Sequence, residues 1–156
     1  MSIYSYLKKD HDEVKSLFNE IEQLGAESSE KRTSLFNQVK KKLILHSKAE
    51  EKVFYNPLKK YAEAKDEVEH GEEEHTEAEQ LLEELTDPTL SGAAWAQKFK
   101  KLKEEVEHHI KEEEEDIFTI ARRLLSEETA RQMEEDMKRL KSEIDQKRKI
   151  EPRQAA

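Results

Sequence analysis

The sequence predicts an all-α fold, an up-down-up-down four-helix bundle with an additional C-terminal helix, and three observations predict it. Apolar residues recur at spacings of three and four along nearly the whole chain. Only three glycines and three prolines occur in 156 residues, which leaves few places for turns. Charged residues make up 42% against 34% hydrophobic, the balance of amphipathic helices with solvated outer faces.

A first helix is predicted from about Ser2 to Leu24, with Ile3, Tyr4, Leu7, Val14, Phe18, Ile21 and Leu24 on one face. Gly25 is placed to cap its C-terminus. Ser28 or Ser29 opens a second helix with an inner stripe of Phe36, Val39, Leu43, 46, 50, Val53 and Phe54. Pro57 lacks the amide donor its turn requires, so a bend is expected there, with helix resuming through Leu58 and Tyr61. Asp66 followed by Glu69 resembles a capping box opening helix three, which turns Val68, Ala78, Leu82 and Leu85 inward and stops near "TDPT". Ser91 is placed to cap a long fourth helix carrying Trp95, Phe99, Leu102, Val106, 109, 113, Ile117, Ile120 and Leu124. "SEET" at 126 opens a fifth, with a narrow seam of Ala130, Met133, Met137, Leu140 and Ile144. Four helices with short connections pack most simply as an antiparallel bundle. The fifth is surplus, and its seam suits either docking on the bundle or pairing with a second chain as a homodimer.

Composition removes several function classes. A net charge of −9 argues against nucleic-acid or anionic-membrane binding, because phosphates would repel most of the surface. Cysteine is absent, which excludes disulfides and thiolate metal sites. The N-terminus lacks an apolar signal core and the longest apolar run, "AAWA", is too short to span a bilayer, so a cytoplasmic protein is expected. No glycine-rich phosphate loop and no triad-like nucleophile occur. The basic C-terminal stretch "KRLKSEIDQKRKIEPR" is read as a solvated helix face with a frayed tail.

What remains is a pattern written twice, "HSKAEEKVFY" at 46–55 and "HIKEEEEDIF" at 109–118. Each has a His four residues before a Glu, a second Glu, and an aromatic five after the first Glu. His11, His46, Glu50, His75, His109 and Glu113 all fall where the stripes demand apolar residues, so all six point inward. At about 1.5 Å of rise per residue, His75 and His109 stand about 18 and 24 Å from their shared turn, and His11 and His46 about 20 and 25 Å from theirs. An antiparallel bundle gathers them in one middle layer. Buried carboxylates need compensation, and no Lys or Arg stands on the inner faces of these helices. Imidazole and carboxylate around a pair of cations supply it, since residues four apart share a helix face and can address adjacent metals.

The order "DH" at 10–11, "HSKAEE" at 46–51, "EEH" at 73–75 and "HIKEEEE" at 109–115 resembles the hemerythrin family, specifically the bacterial HHE cation-binding domains. The similarity covers 1–125, leaving 126–156 as a C-terminal helix and tail, packed on the bundle or used for association. The resemblance implies two non-heme iron ions with a bridging oxo or hydroxo group: His11 and His46 on one, His75 and His109 on the other, Glu50 and Glu113 bridging. Zinc and manganese also suit this donor set.

Two departures from oxygen-carrying hemerythrins stand out. Gly71 occupies the place of their additional third-helix His, and the nearby His70 is rotated about 140° off the stripe. The second bridging carboxylate is Glu113, at four residues from its His, with Glu114 at five where the carriers have Asp. Both suggest a more open site, completed by water, Glu51, His70 or Glu114. Glu51 and Glu114 are otherwise expected on solvated flanks, with Glu51 also able to hydrogen-bond a ligand His, and His108 is expected either in solvent or behind a ligand. Tyr55 and Phe118 are expected to pack the bundle, and Met133 and Met137 to serve core or interface.

The expected function is a di-iron protein that binds, senses or reacts with dioxygen, peroxide or nitric oxide, or senses iron. A peroxide-consuming enzyme is the alternative, favoured by the room Gly71 leaves for a labile water. A third reading is an interaction module with a structural metal site.

Overall fold

The computed structural model describes residues 2–24 and 29–150. Among the described residues, five helical rods make up the fold and no strand occurs. Helix α1 spans Ile3–Glu22. Helix α2 spans Ser29–Glu50 and continues through a π-helical turn, Glu51–Tyr55, into Asn56–Leu58. Helix α3 spans Ala62–Thr86. Helix α4 spans Gly92–Glu112 and continues through a second π-helical turn, Glu113–Ile117, into Phe118–Leu124. Helix α5 spans Glu127–Ile150. The first four form the up-down-up-down bundle, and α5 lies against α1 and α2.

Several local expectations change. Helix α3 starts at Ala62, four residues before the expected capping box at Asp66, because Tyr61 takes an extended conformation (φ −97°, ψ 124°) and turns the chain there. Tyr61 therefore precedes α3 instead of ending α2. Ser29 is the first helical residue of α2 and not its cap, while Gly25 and Ser28 lie outside the described residues. Ser91 sits at the cap position of α4, but its side chain makes no capping bond. Gly92 takes φ +60° just inside, a conformation open to glycine at little cost. At α5 the expected cap forms, with the Thr129 amide donating to Ser126 Oγ at 3.1 Å.

The core falls into two apolar halves. One gathers Ile3, Leu7, Phe54, Leu58, Val68 and Phe118 with Met133 and Met137 of α5. The other gathers Phe18, Val39, Leu82, Trp95, Phe99 and Leu102. Trp95 donates its indole N–H to the Leu85 carbonyl at 3.0 Å, closing that end across the α3–α4 turn. Between the halves lies the polar layer. No described helix is long and apolar enough to cross a membrane.

Candidate metal centre

All six inward-facing residues are buried, Glu50 and Glu113 at 0% exposure. They fall into two overlapping groups, His11, His46, Glu50 and Glu113 in one, and Glu50, His75, His109 and Glu113 in the other. Both groups use the same two glutamates. Glu50 Oε1 lies 3.4 Å from His46 Nε2 and 3.2 Å from His75 Nε2. Glu113 places Oε1 3.2 Å from His11 Nε2 and Oε2 3.5 Å from His109 Nε2. Each carboxylate thus straddles both halves. The imidazoles pair by helix hairpin, with ring centroids 5.1 Å apart for His11 and His46 and 4.7 Å for His75 and His109.

The outer nitrogens are all engaged. Nδ1 donates to Glu114 from His11 (2.7 Å), to Asp10 from His46 (2.8 Å), to Glu51 from His75 (2.7 Å) and to Glu74 from His109 (2.8 Å). A proton on Nδ1 leaves the Nε2 of a neutral imidazole as a lone-pair donor, so these bonds fix both ring orientation and tautomer toward the centre. The inner atoms lack comparable partners. Of the buried side-chain atoms without a hydrogen bond among the described residues, five belong to this layer: His11 Nε2, His75 Nε2, both oxygens of Glu50, and Glu113 Oε1. Buried polar atoms are nearly always satisfied, and the separations of 3.2–3.5 Å across the centre are wider than the outer bonds. Donors that are held from outside and unmatched inside fit cations between them.

Electrostatics agrees. Burial alone pushes these imidazoles down, and the facing carboxylates more than reverse it, to about 9 for His46, about 9 for His75 and about 10 for His109, with His11 also raised. Burial pushes Glu113 up, but hydrogen bonds and charge from His109 and His11 hold it well below the carboxylate range. Without metal, the layer balances its buried carboxylates with protons on the imidazoles.

The two hairpins are pseudo-equivalent. Asp10, His11, His46, Glu50, Glu51 and Tyr55 match Glu74, His75, His109, Glu113, Glu114 and Phe118 in their spacing within each helix. Phe118 lies parallel to His11 (6.5 Å, 16°) as Tyr55 does to His75 (5.3 Å, 8°). The π-helical turns explain the aromatic five residues past each Glu. Five residues along an α-helix rotate about 140° off the stripe, whereas an i→i+5 turn spends one extra residue per turn and returns the fifth over the first. In both turns the closing amide, of Asn56 and of Phe118, donates to the carbonyl five residues back.

Sequence reasoning missed two things here. Asp10, Glu74 and Glu114 each hold a ring, as was expected only of Glu51, so Glu114 is not merely a solvated flank; the available signal was an acid directly before His11 and His75 and directly after Glu50 and Glu113. Tyr55 does more than pack. Its hydroxyl donates to Glu113 Oε2 and stands 3.5 Å from His109 Nε2. A Cβ at Gly71 would meet that oxygen at 2.9 Å. The space expected to hold a labile water above Gly71 is filled by a phenol. His70 and His108 lie outside the layer and are exposed.

Residues 2–121 match the model of the hemerythrin HHE cation binding domain. A curated relative from Nostoc sp. (strain PCC 7120), described as a DNA nickase, is 30% identical over 147 residues; the match covers 94% of this chain but only 41% of that protein. No solved structure matches this chain. The chain belongs to the hemerythrin HHE cation-binding family.

Proposed function

We propose that the buried layer holds two non-heme iron ions and that the protein binds, senses or reacts with a small oxidant, dioxygen, peroxide or nitric oxide. The observation that carries this is the set of unmatched inner donors on rings fixed from outside. His11 and His46 would hold one ion and His75 and His109 the other, with Glu50 and Glu113 contributing to both. Four protein donors per ion leave coordination positions for an exogenous ligand. Iron held by these residues would supply redox electrons to such a ligand.

The chain's own residues set access and proton supply. A cavity of about 30 Å³ adjoins the layer, with Val14, Leu43, Ala78, Leu82, Val106 and Ile110 in its wall. It has room for a molecule about the size of water or a diatomic, and the imidazoles of His11, His46, His75 and His109 also border it. Tyr55 carries an O–H inside the layer, and its hydroxyl is held well above the usual phenol range by burial and by the charge of Glu113 and Glu50, so it stays protonated. That proton, present on one half only, favours turnover of peroxide as the second reading over simple carriage.

The name of the Nostoc relative speaks of that protein, most of whose length has no counterpart here. The net charge of −9 supports no nucleic-acid role for this chain.

Elemental analysis of the natively expressed chain, with its absorption spectrum, tests the proposal. Two irons per chain and a charge-transfer band after aerobic exposure are expected, and Glu113→Ala should lose most of both. A chain that purifies without iron and stays colourless after reconstitution overturns it. Peroxide consumption beside Tyr55→Phe separates the readings, since a carrier or sensor shows negligible turnover in either protein.

A further inference from the structure

Two more His-x-x-x-Glu pairs stand one residue off the inner pattern, His70 with Glu74 on α3 and His108 with Glu112 on α4. A shift of one position turns a side chain by about 100°, so these pairs leave the core and face each other on the outer side of the α3–α4 hairpin. His70 Nε2 lies 3.3 Å from Glu112 Oε2 and 3.6 Å from Glu74 Oε2. The three donor atoms lie within 4.8 Å of one another.

We propose that His70, Glu74 and Glu112 form a second, solvent-accessible site for a divalent first-row transition metal of the zinc class. Both carboxylates are pinned through their other oxygen, Glu74 Oε1 by His109 Nδ1 at 2.8 Å and Glu112 Oε1 by His108 Nε2 at 2.8 Å. Each therefore offers Oε2 to the same point in front of His70. The separations also discriminate. Hydrogen bonds in this protein's His–carboxylate pairs close to 2.7–2.8 Å, whereas those around His70 are wider. Donors bonded tetrahedrally to a metal at about 2.0–2.1 Å stand about 3.3–3.4 Å apart; the His70–Glu112 separation of 3.3 Å meets this, and the His70–Glu74 separation of 3.6 Å needs only a small closure. An imidazole among the donors selects zinc-like ions over magnesium or calcium. His70 is 53% and Glu112 34% exposed, so the ion reaches them from solvent and water completes its shell. His108 is a positioning residue. Glu74 links this site to His109, so surface and buried layers share one carboxylate. The site stands whether or not the buried layer holds iron.

Zinc is the probe, added under equilibrium dialysis to the full chain with its buried metal as purified, and both zinc and resident metal are counted. One zinc per chain is expected, with binding weakened at least about tenfold in His70→Ala and in Glu112→Gln, and shifts in the His70 ring resonances. These residues are on the surface, and circular dichroism confirms that the variants fold. Equal uptake by wild type and His70→Ala overturns the site. So does zinc uptake matched by release of resident metal with the His70 resonances unmoved.

Discussion

At the level of single residues, Tyr55 and Gly71 form a unit that breaks the symmetry of the two hairpins. Their counterparts are Phe118 and Leu7, which keep the other half purely apolar. Gly71 is small because the phenol needs the room, with hydroxyl and ring carbons at 2.9–3.2 Å from a notional Cβ. Gly71→Ala therefore forces Tyr55 off Glu113, at a cost of about 1–3 kcal/mol, measured by denaturant unfolding. Tyr55→Phe keeps the ring stacked on His75 and removes only the hydroxyl. In the Gly71→Ala background it should recover part of that loss, so the double-mutant cycle is non-additive. Additive losses would show that the two side chains do not share the space.

At the level of elements, α5 is part of the core and also reaches the layer. Met137 is fully buried against the half that contains Phe118, and Lys141 donates to Asp10, which in turn holds His46. Burial pushes the Asp10 carboxyl up, yet hydrogen bonds and charge from His46 and Lys141 bring it down to about 2. Met137→Ala should cost about 2–5 kcal/mol in denaturant unfolding of the metal-loaded chain. A loss below about 0.5 kcal/mol would mark α5 as a loosely attached appendage. The seam of α5 was legible from its spacing, but its partner was not: a narrow apolar stripe serves equally against the same chain or a second one, and only packing chooses.

At the level of the whole molecule, the polar layer divides the apolar core in two and couples stability to pH. In the metal-free chain the imidazoles of His46, His75 and His109 are held at about 9, 9 and 10 against an ordinary 6.5. Below about 6.5 they are protonated folded and unfolded alike, and the stabilisation from their carboxylates is fully present. As pH rises the unfolded chain sheds those protons first, and the contribution is lost as pH passes through 9–10. Metal uptake displaces the same protons, so affinity rises over the same range. The melting temperature of the chelator-treated chain should fall from pH 6.5 to 10, and the gap to the metal-loaded chain should widen. Parallel curves in calorimetry would contradict this.

Periodicity alone determined the helices, the inward set His11, His46, Glu50, His75, His109 and Glu113, and their common depth, because rotation and rise per residue are fixed properties of an α-helix. The start of α3 at Ala62 was hidden, since it depends on the backbone at Tyr61 and not on side-chain pattern. Tertiary structure alone decided which carboxylate holds which imidazole, that α5 docks on α1 and α2, and that Tyr55 enters the layer. Those outcomes arise between helices, or from π-helical turns that reset the register, and a one-dimensional period carries no information about either.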